Sequence, residues 1–212
     1  MSHIGFLFDL DGTLVNSKPA VERAWIQLAQ EAQIPLEKMV GLHGIPAEQS
    51  LRMLLADRSE DEIKNWVDRI EHLETSDTTG VVAIAGAKEL LSELNEKKIP
   101  WTIVTSCTIP LALSRVKAAG IEMPDHTVTF NDVKLGKPFP DPFILGAQRI
   151  GLDPNQCWVI EDAPAGVVAG KSAGCSIMTN LIMVTNARGN SAEILPALSL
   201  LNHQVKIMPA EP

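Results

Sequence analysis

Three short stretches, Ile4-Gly5-Phe6-Leu7-Phe8, Trp101-Thr102-Ile103-Val104 and Cys157-Trp158-Val159-Ile160, are apolar with no period-two alternation. A strand with one wet face alternates polar and apolar residues, whereas a strand covered on both faces does not, so these read as central strands of a parallel sheet. Between them, Ala87 to Lys98 sets Leu90, Leu91 and Leu94 at helical spacing and turns Lys88, Glu89, Glu93, Glu96 and Lys97 toward water. Phe143 to Ile150 and Ala165 to Ala173 are further helix candidates, and Thr127 to Phe130 and Ser176 to Val184 are weaker strand candidates. Strands and helices that alternate in this way predict an α/β fold, a doubly wound parallel sheet.

One stretch breaks the alternation. Three helix-like segments, near Pro19 to Ala32, Pro46 to Asp57 and Ser59 to Thr75, follow one another with no strand between them. They read as a small helical cap inserted over residues 17–80, with Asn16-Ser17 and Thr78-Thr79-Gly80 as hinges and residues 1–16 and 81–212 as the core. A length of 212 residues suits one main core with a small accessory domain.

The chemistry gathers where the apolar runs end. Phe8-Asp9-Leu10-Asp11-Gly12-Thr13 puts two carboxylates two residues apart at the end of a buried strand, on one side of an extended chain, and Gly12 permits a sharp turn. Open α/β sheets bind ligands at that end of their strands. A plain chain reversal at Asp11-Gly12 is the alternative.

Asp9 to Thr13 resembles the D-x-D-G-T signature of the haloacid dehalogenase superfamily. The resemblance implies that Asp9 attacks phosphorus to form an aspartyl-phosphate, and that Asp11 protonates the leaving oxygen and then activates water. A carboxylate is a weak nucleophile, so such a reaction needs an oriented phosphoryl group and a cation between the two anions. By the same resemblance Thr105 and Ser106, at the end of the second run, hold phosphate oxygens, aided by the N-terminus of a helix expected near Pro110; a simple helix cap is the bland alternative. Lys137, in Gly136-Lys137-Pro138, supplies a point cation to nucleophile and phosphoryl group, although a lone loop lysine is ordinarily just solvated. Glu161 and Asp162 end the third run, and their charge beside Asp9 and Asp11 calls for a divalent cation; oxygen donors suit Mg2+. The resemblance implies that Asp162, the Asp9 carboxylate and the Asp11 carbonyl bind Mg2+ directly, with Glu161 acting through water.

The insertion after the first motif resembles the cap of the β-phosphoglucomutase-like group. His43-Gly44, the run Asn131-Asp132-Val133-Lys134 and Glu161 to Gly166 look most like phosphatases of 2-deoxyglucose 6-phosphate or glycerol phosphate, which makes His43, Asn131 and Lys134 substrate-binding candidates. An exposed or capping histidine at position 43 and a solvated Lys134 remain open. Glu22 and Arg52 lie on cap helices but are not counted in the site, and Trp25, Trp66, Trp101 and Trp158 read as core residues. Asn16 and Cys107 depart from the family pattern, in which Asp and a small residue are usual.

A formal charge of −8, with no basic cluster, argues against a nucleic-acid partner. Three scattered cysteines, Cys107, Cys157 and Cys175, form no disulfide framework and suit a reducing cytoplasm. No apolar run reaches the roughly 20 residues of a membrane span. The expectation is therefore a cytoplasmic, monomeric phosphatase of sugars or polyols whose partner is a small phosphorylated metabolite; a phosphomutase and a non-enzymatic binding protein on the same fold are the alternatives.

Overall fold

The computed structural model describes residues 4–39 and 46–179. Among these residues the main sheet has four parallel strands, β1 (Gly5–Phe8), β4 (Trp101–Ile103), β5 (Cys157–Glu161) and β6 (Ser176–Thr179), in the spatial order β4-β1-β5-β6. The missing alternation in β1 has a direct cause. Phe6 and Phe8 pack on one face with α4 (Ala87–Glu96) and α5 (Ile109–Ala119), while Leu7 packs on the other with Phe143 and Ala147 of α6 (Asp141–Arg149) and Ala169 of α7 (Pro164–Ser172). Both faces are dry, so both need apolar side chains.

The chain leaves β1 for β4 on one side and then crosses to β5 and β6 on the other, which makes the end of β1 the switch point of the sheet. Register aligns the strand ends. Phe8 lies opposite both Ile103 and Ile160, so Asp9, Val104 and Glu161 come next at one edge. The Asp9 amide donates to the Ile160 carbonyl at 2.9 Å and the Val104 amide to the Phe8 carbonyl at 2.7 Å.

Between β1 and α4 the chain forms α1 (Lys18–Ala32), α2 (Ala47–Leu54) and α3 (Glu60–Ser76). Ser59 starts α3 through a reciprocal capping box with Glu62, which satisfies two otherwise orphaned amides. These helices share an apolar cluster of their own that includes Leu28, Leu51, Ile63, Ile70 and Leu73. Leu51 is fully buried in it, a burial worth about 1.5–3 kcal/mol. Two strands of two residues each, β2 (Val15–Asn16) and β3 (Val82–Ala83), pair antiparallel where the chain enters and leaves this helical segment. They are too short to register as a period in the sequence.

One expected strand is corrected. Thr127 to Phe130 makes only a single bridge, Val128 to Val104, before a 3-10 turn over Phe130–Asp132. Asp132 accepts from both the amide and the hydroxyl of Thr129, at 2.8 and 2.7 Å, and this local turn outcompetes a longer ladder. The strand expected from Ser176 is described to Thr179, and its continuation to Val184 lies outside the described residues.

Candidate active site

The ends of β1, β4 and β5 floor a cavity of about 600 Å³ whose opposite wall comes from α1, α2 and α3. Asp9, Asp11, Thr105, Ser106, Lys137 and Glu161 all line it. Lys137 is buried, with its ammonium 2.6 Å from Asp9 Oδ1 and 2.7 Å from Glu161 Oε1. The flanking loop is held by Arg149 of α6, which donates to the Thr127 carbonyl and pairs with Asp132. Lys137 is thus a fixed charge rather than a solvated one.

Glu161 is committed at both oxygens, since Oε2 accepts from the Ala163 amide at 2.7 Å. A Cβ at position 166 would lie 1.6 Å from Oε1, so only Gly166 lets α7 start this close to the carboxylate. Gly12 has a similar duty: its φ is +93°, and a Cβ there would lie 2.1 Å from Asp162 Oδ2. Asp162 stands at the solvent side and accepts from the Thr13 hydroxyl at 3.4 Å.

Asp9, Glu161 and Asp162 each offer a carboxylate oxygen, all within 4.8 Å of one another. Burial pushes the Asp9 carboxyl up to about 7, with the Lys137 ammonium pulling the other way. The Asp162 carboxyl is also raised, by burial first and then by Glu161. Burial opposes the charge on Lys137, but the two carboxylates outweigh it and its pKa rises. Three carboxylates against one ammonium leave excess negative charge among hard oxygen donors, a set that fits a divalent cation.

Thr105 is buried, and its hydroxyl oxygen accepts from the Cys107 amide at 3.1 Å, which leaves the O–H free to donate into the cavity. α5 begins just beyond, as expected, at Ile109. Asn131 does not line the cavity; its Oδ1 accepts from the Ile109 amide at 3.0 Å, at the start of α5. Lys134 is exposed and away from the lining. His43 lies outside the described residues. Glu22 and Trp25 do line the cavity, and Trp25 therefore serves more than the core, whereas Arg52 is held outside by Glu48 and Glu60.

Near Asp11 stand Cys107, noted in the sequence only as a departure from the family pattern, and two residues that went unread, Arg115 and Glu74. The Cys107 thiol donates to Asp11 Oδ2 at 2.9 Å. The Arg115 guanidinium, from α5, lies 3.3 Å from Asp11 Oδ1 and 3.7 Å from Glu74 Oε2 of α3. Periodicity does carry a signal for two of them. Arg115 falls in the buried stripe Ala112, Arg115, Val116, Ala119, and Glu74 falls one residue after buried Leu73, so each is a charge at an apolar position.

Burial pushes the Glu74 carboxyl up to about 7, against the pull of Arg115. From about pH 4.5 to 7 the unfolded chain loses this proton while the folded chain keeps it, so the group subtracts stability as pH rises through that window. Glu74→Gln is expected to gain stability relative to the parent as pH rises from 5 to 8, because the amide cannot ionise in this buried place. Urea unfolding at the two pH values reads the difference, and a gap independent of pH would contradict it.

A carboxylate-bearing strand end, a buried lysine and an acidic cluster meet at the edge of a doubly wound sheet, the arrangement expected of a hydrolase of the haloacid dehalogenase type. The family model described as haloacid dehalogenase-like hydrolase matches residues 6–179, and the chain belongs to this family. It is 47% identical over 192 residues to hexitol phosphatase A of Escherichia coli (strain K12), covering 90% of this chain and 89% of that protein. Glycerol-1-phosphate phosphohydrolase 2 of Saccharomyces cerevisiae is 32% identical, over 81% of this chain and 72% of its own. Among solved structures, β-phosphoglucomutase of Clostridium difficile shares the fold with a TM-score of 0.71 at 24% identity, over 82% of this chain and 83% of that one.

Proposed function

We propose that the chain is a magnesium-dependent phosphatase that hydrolyses phosphate monoesters of sugars or polyols through an aspartyl-phosphate on Asp9. The observation that carries this reading is the Lys137 ammonium set between Asp9 and Glu161 at the floor of the cavity. Lys137, Thr105 and Ser106 orient the phosphate, and an Asp9 oxygen attacks phosphorus as the ester P–O bond breaks. Asp11 gives its proton to the departing alkoxide. Asp11 then takes a proton from water, which attacks the phosphoenzyme and releases orthophosphate with Asp9 restored.

Asp9, Asp162 and the Asp11 carbonyl would hold Mg2+, with Glu161 contributing through water. When bound, the ion offsets the repulsion between carboxylate and phosphate and stabilises charge on the transferring group. Residues 1–16 and 81–212 form the catalytic core in this reading, and 17–80 the cap that excludes water and selects the leaving group. A cytoplasmic monomer is the working state; all three cysteines are free, and no helix among the described residues is long and apolar enough to cross a membrane.

The cavity wall favours hydrolysis over mutase chemistry. Among the described lining residues Lys137 is the sole Lys or Arg, whereas Glu22, Glu48, Glu71 and Glu74 stand on the helical side. A second phosphate, which a bisphosphorylated activator must carry, would face carboxylates there. Neutral hydroxyls can instead donate to them.

The test is phosphate release from a panel of sugar, polyol and nucleotide phosphates, with Mg2+ and with excess chelator. Hexitol and glycerol phosphates are expected among the best substrates, with activity lost to chelator and restored by Mg2+. A hexonate 6-phosphate, which places a carboxylate where the hexitol has a hydroxyl, is expected to lose about tenfold or more in kcat/KM. Release from no ester in the panel would sink the enzymatic reading, and isomerised sugar in place of free phosphate would favour the mutase.

A further inference from the structure

Arg115 is the largest fully buried side chain among the described residues, and the mechanism above does not use it. A guanidinium stays charged at every physiological pH, so its burial at 1% exposure is costly unless anions compensate it. Among the described residues two face it as ion-pair partners, Asp11 at 3.3 Å and Glu74 at 3.7 Å. Neither contact is a well-formed hydrogen bond: Nε and Nη1 of Arg115 and Oδ1 of Asp11 find no hydrogen-bond partner among the described residues. A leucine or methionine on the same stripe of α5 would pack at lower cost. The arrangement therefore does little for stability and much for the place of one carboxylate.

The geometry points to Arg115 as a positioning residue for Asp11, with Glu74 of α3 balancing the guanidinium from the helical side. Asp11 is then held at both oxygens by different groups: Oδ1 by the charge of Arg115, and Oδ2 by the thiol of Cys107. Arg115 does not line the cavity, so it acts on the substrate only through Asp11. Because Glu74 belongs to α3 and Arg115 to α5, the helical segment that covers the cavity also helps set the carboxyl that serves the leaving oxygen. The inference rests on Asp11 as acid and base.

The leaving group distinguishes positioning from structure. Departure of an alkoxide needs a proton from Asp11, whereas departure of p-nitrophenolate does not. In Arg115→Met, which keeps the apolar stem and removes the charge, the first-turnover release of alcohol from the best sugar or polyol phosphate is expected to slow about tenfold or more. KM is expected to stay within about twofold, and so is the first-turnover burst of p-nitrophenolate from p-nitrophenyl phosphate. Arg115→Lys should recover part of the loss.

The double variant Arg115→Met with Glu74→Gln removes both buried charges and guards against a merely misfolded single variant. It is expected to remain slow on the alkyl ester; full recovery would show that charge balance in the core was the whole effect. Equal slowing of both esters, or of neither, would overturn the inference. Asp11→Asn, measured alongside, keeps the two levels apart. If it shows the leaving-group split and Arg115→Met does not, the positioning role alone fails, and if Asp11→Asn shows no split, the acid–base reading fails first.

Discussion

Asp9→Asn is expected to abolish turnover of every phosphate ester, by about 10,000-fold or more, while leaving the fold intact. Removal of an attacking group in a covalent mechanism costs on the order of 10⁴–10⁶ in kcat. The amide keeps the shape of the side chain but has no anionic oxygen to attack phosphorus. Lys137 keeps Glu161 as a partner at 2.7 Å, so the lysine remains seated. Stability supplies the control. The Asp9 carboxyl is raised to about 7 by burial, so its ionisation costs the folded chain stability as pH rises from about 4 toward 7. Asparagine cannot ionise, and without added metal its thermal midpoint at pH 8 is expected to equal or exceed that of the parent. Phosphate release within tenfold of the parent would sink the covalent assignment, and a collapsed midpoint would instead mean that the variant reports on folding.

Lys137→Met is expected to damage stability and catalysis together. Its removal leaves Asp9 and Glu161 buried side by side without their shared cation, and breaking a buried ion pair from one side costs about 3–5 kcal/mol. Loss of a preorganised charge at the transferring phosphate removes about 10²–10³ in kcat besides. The stability loss has a pH signature. At pH 5 Asp9 can stay protonated in parent and variant alike, whereas toward pH 8 the ammonium helps the parent ionise Asp9 and the variant lacks that help, so the deficit grows with pH. Urea unfolding at pH 5 and pH 8 checks this, with phosphate release at a common pH. A deficit equal at both values would mean that lost packing, rather than unpaired charge, explains the variant.

Much of the site could be read from residues because the chemistry lies at strand ends. Asp9, Thr105 and Glu161 each follow a run whose burial on two faces is visible as missing alternation, and parallel register then brings the three ends to one edge. Lys137 could be placed in the site only by its resemblance to the family motif; its salt bridges depend on a loop held by Arg149. Asn131 shows the limit of such reasoning, since a polar side chain near a motif can as readily serve a helix start. Arg115 and Glu74 stood in apolar stripes where a charge should have drawn notice, but no local pattern names their partner.

The sequence alone determined the layered α/β architecture and the acids at its edge, because burial periodicity and strand-end position are local properties of the chain, whereas Lys137 entered only through the family motif. Only the tertiary structure decided that a guanidinium from α5 and a carboxylate from α3 meet behind Asp11, and that four glutamates stand on the otherwise largely apolar far wall of the cavity. Those contacts join segments distant in sequence across a helical insertion, and their energies depend on distance and burial, which no one-dimensional pattern records.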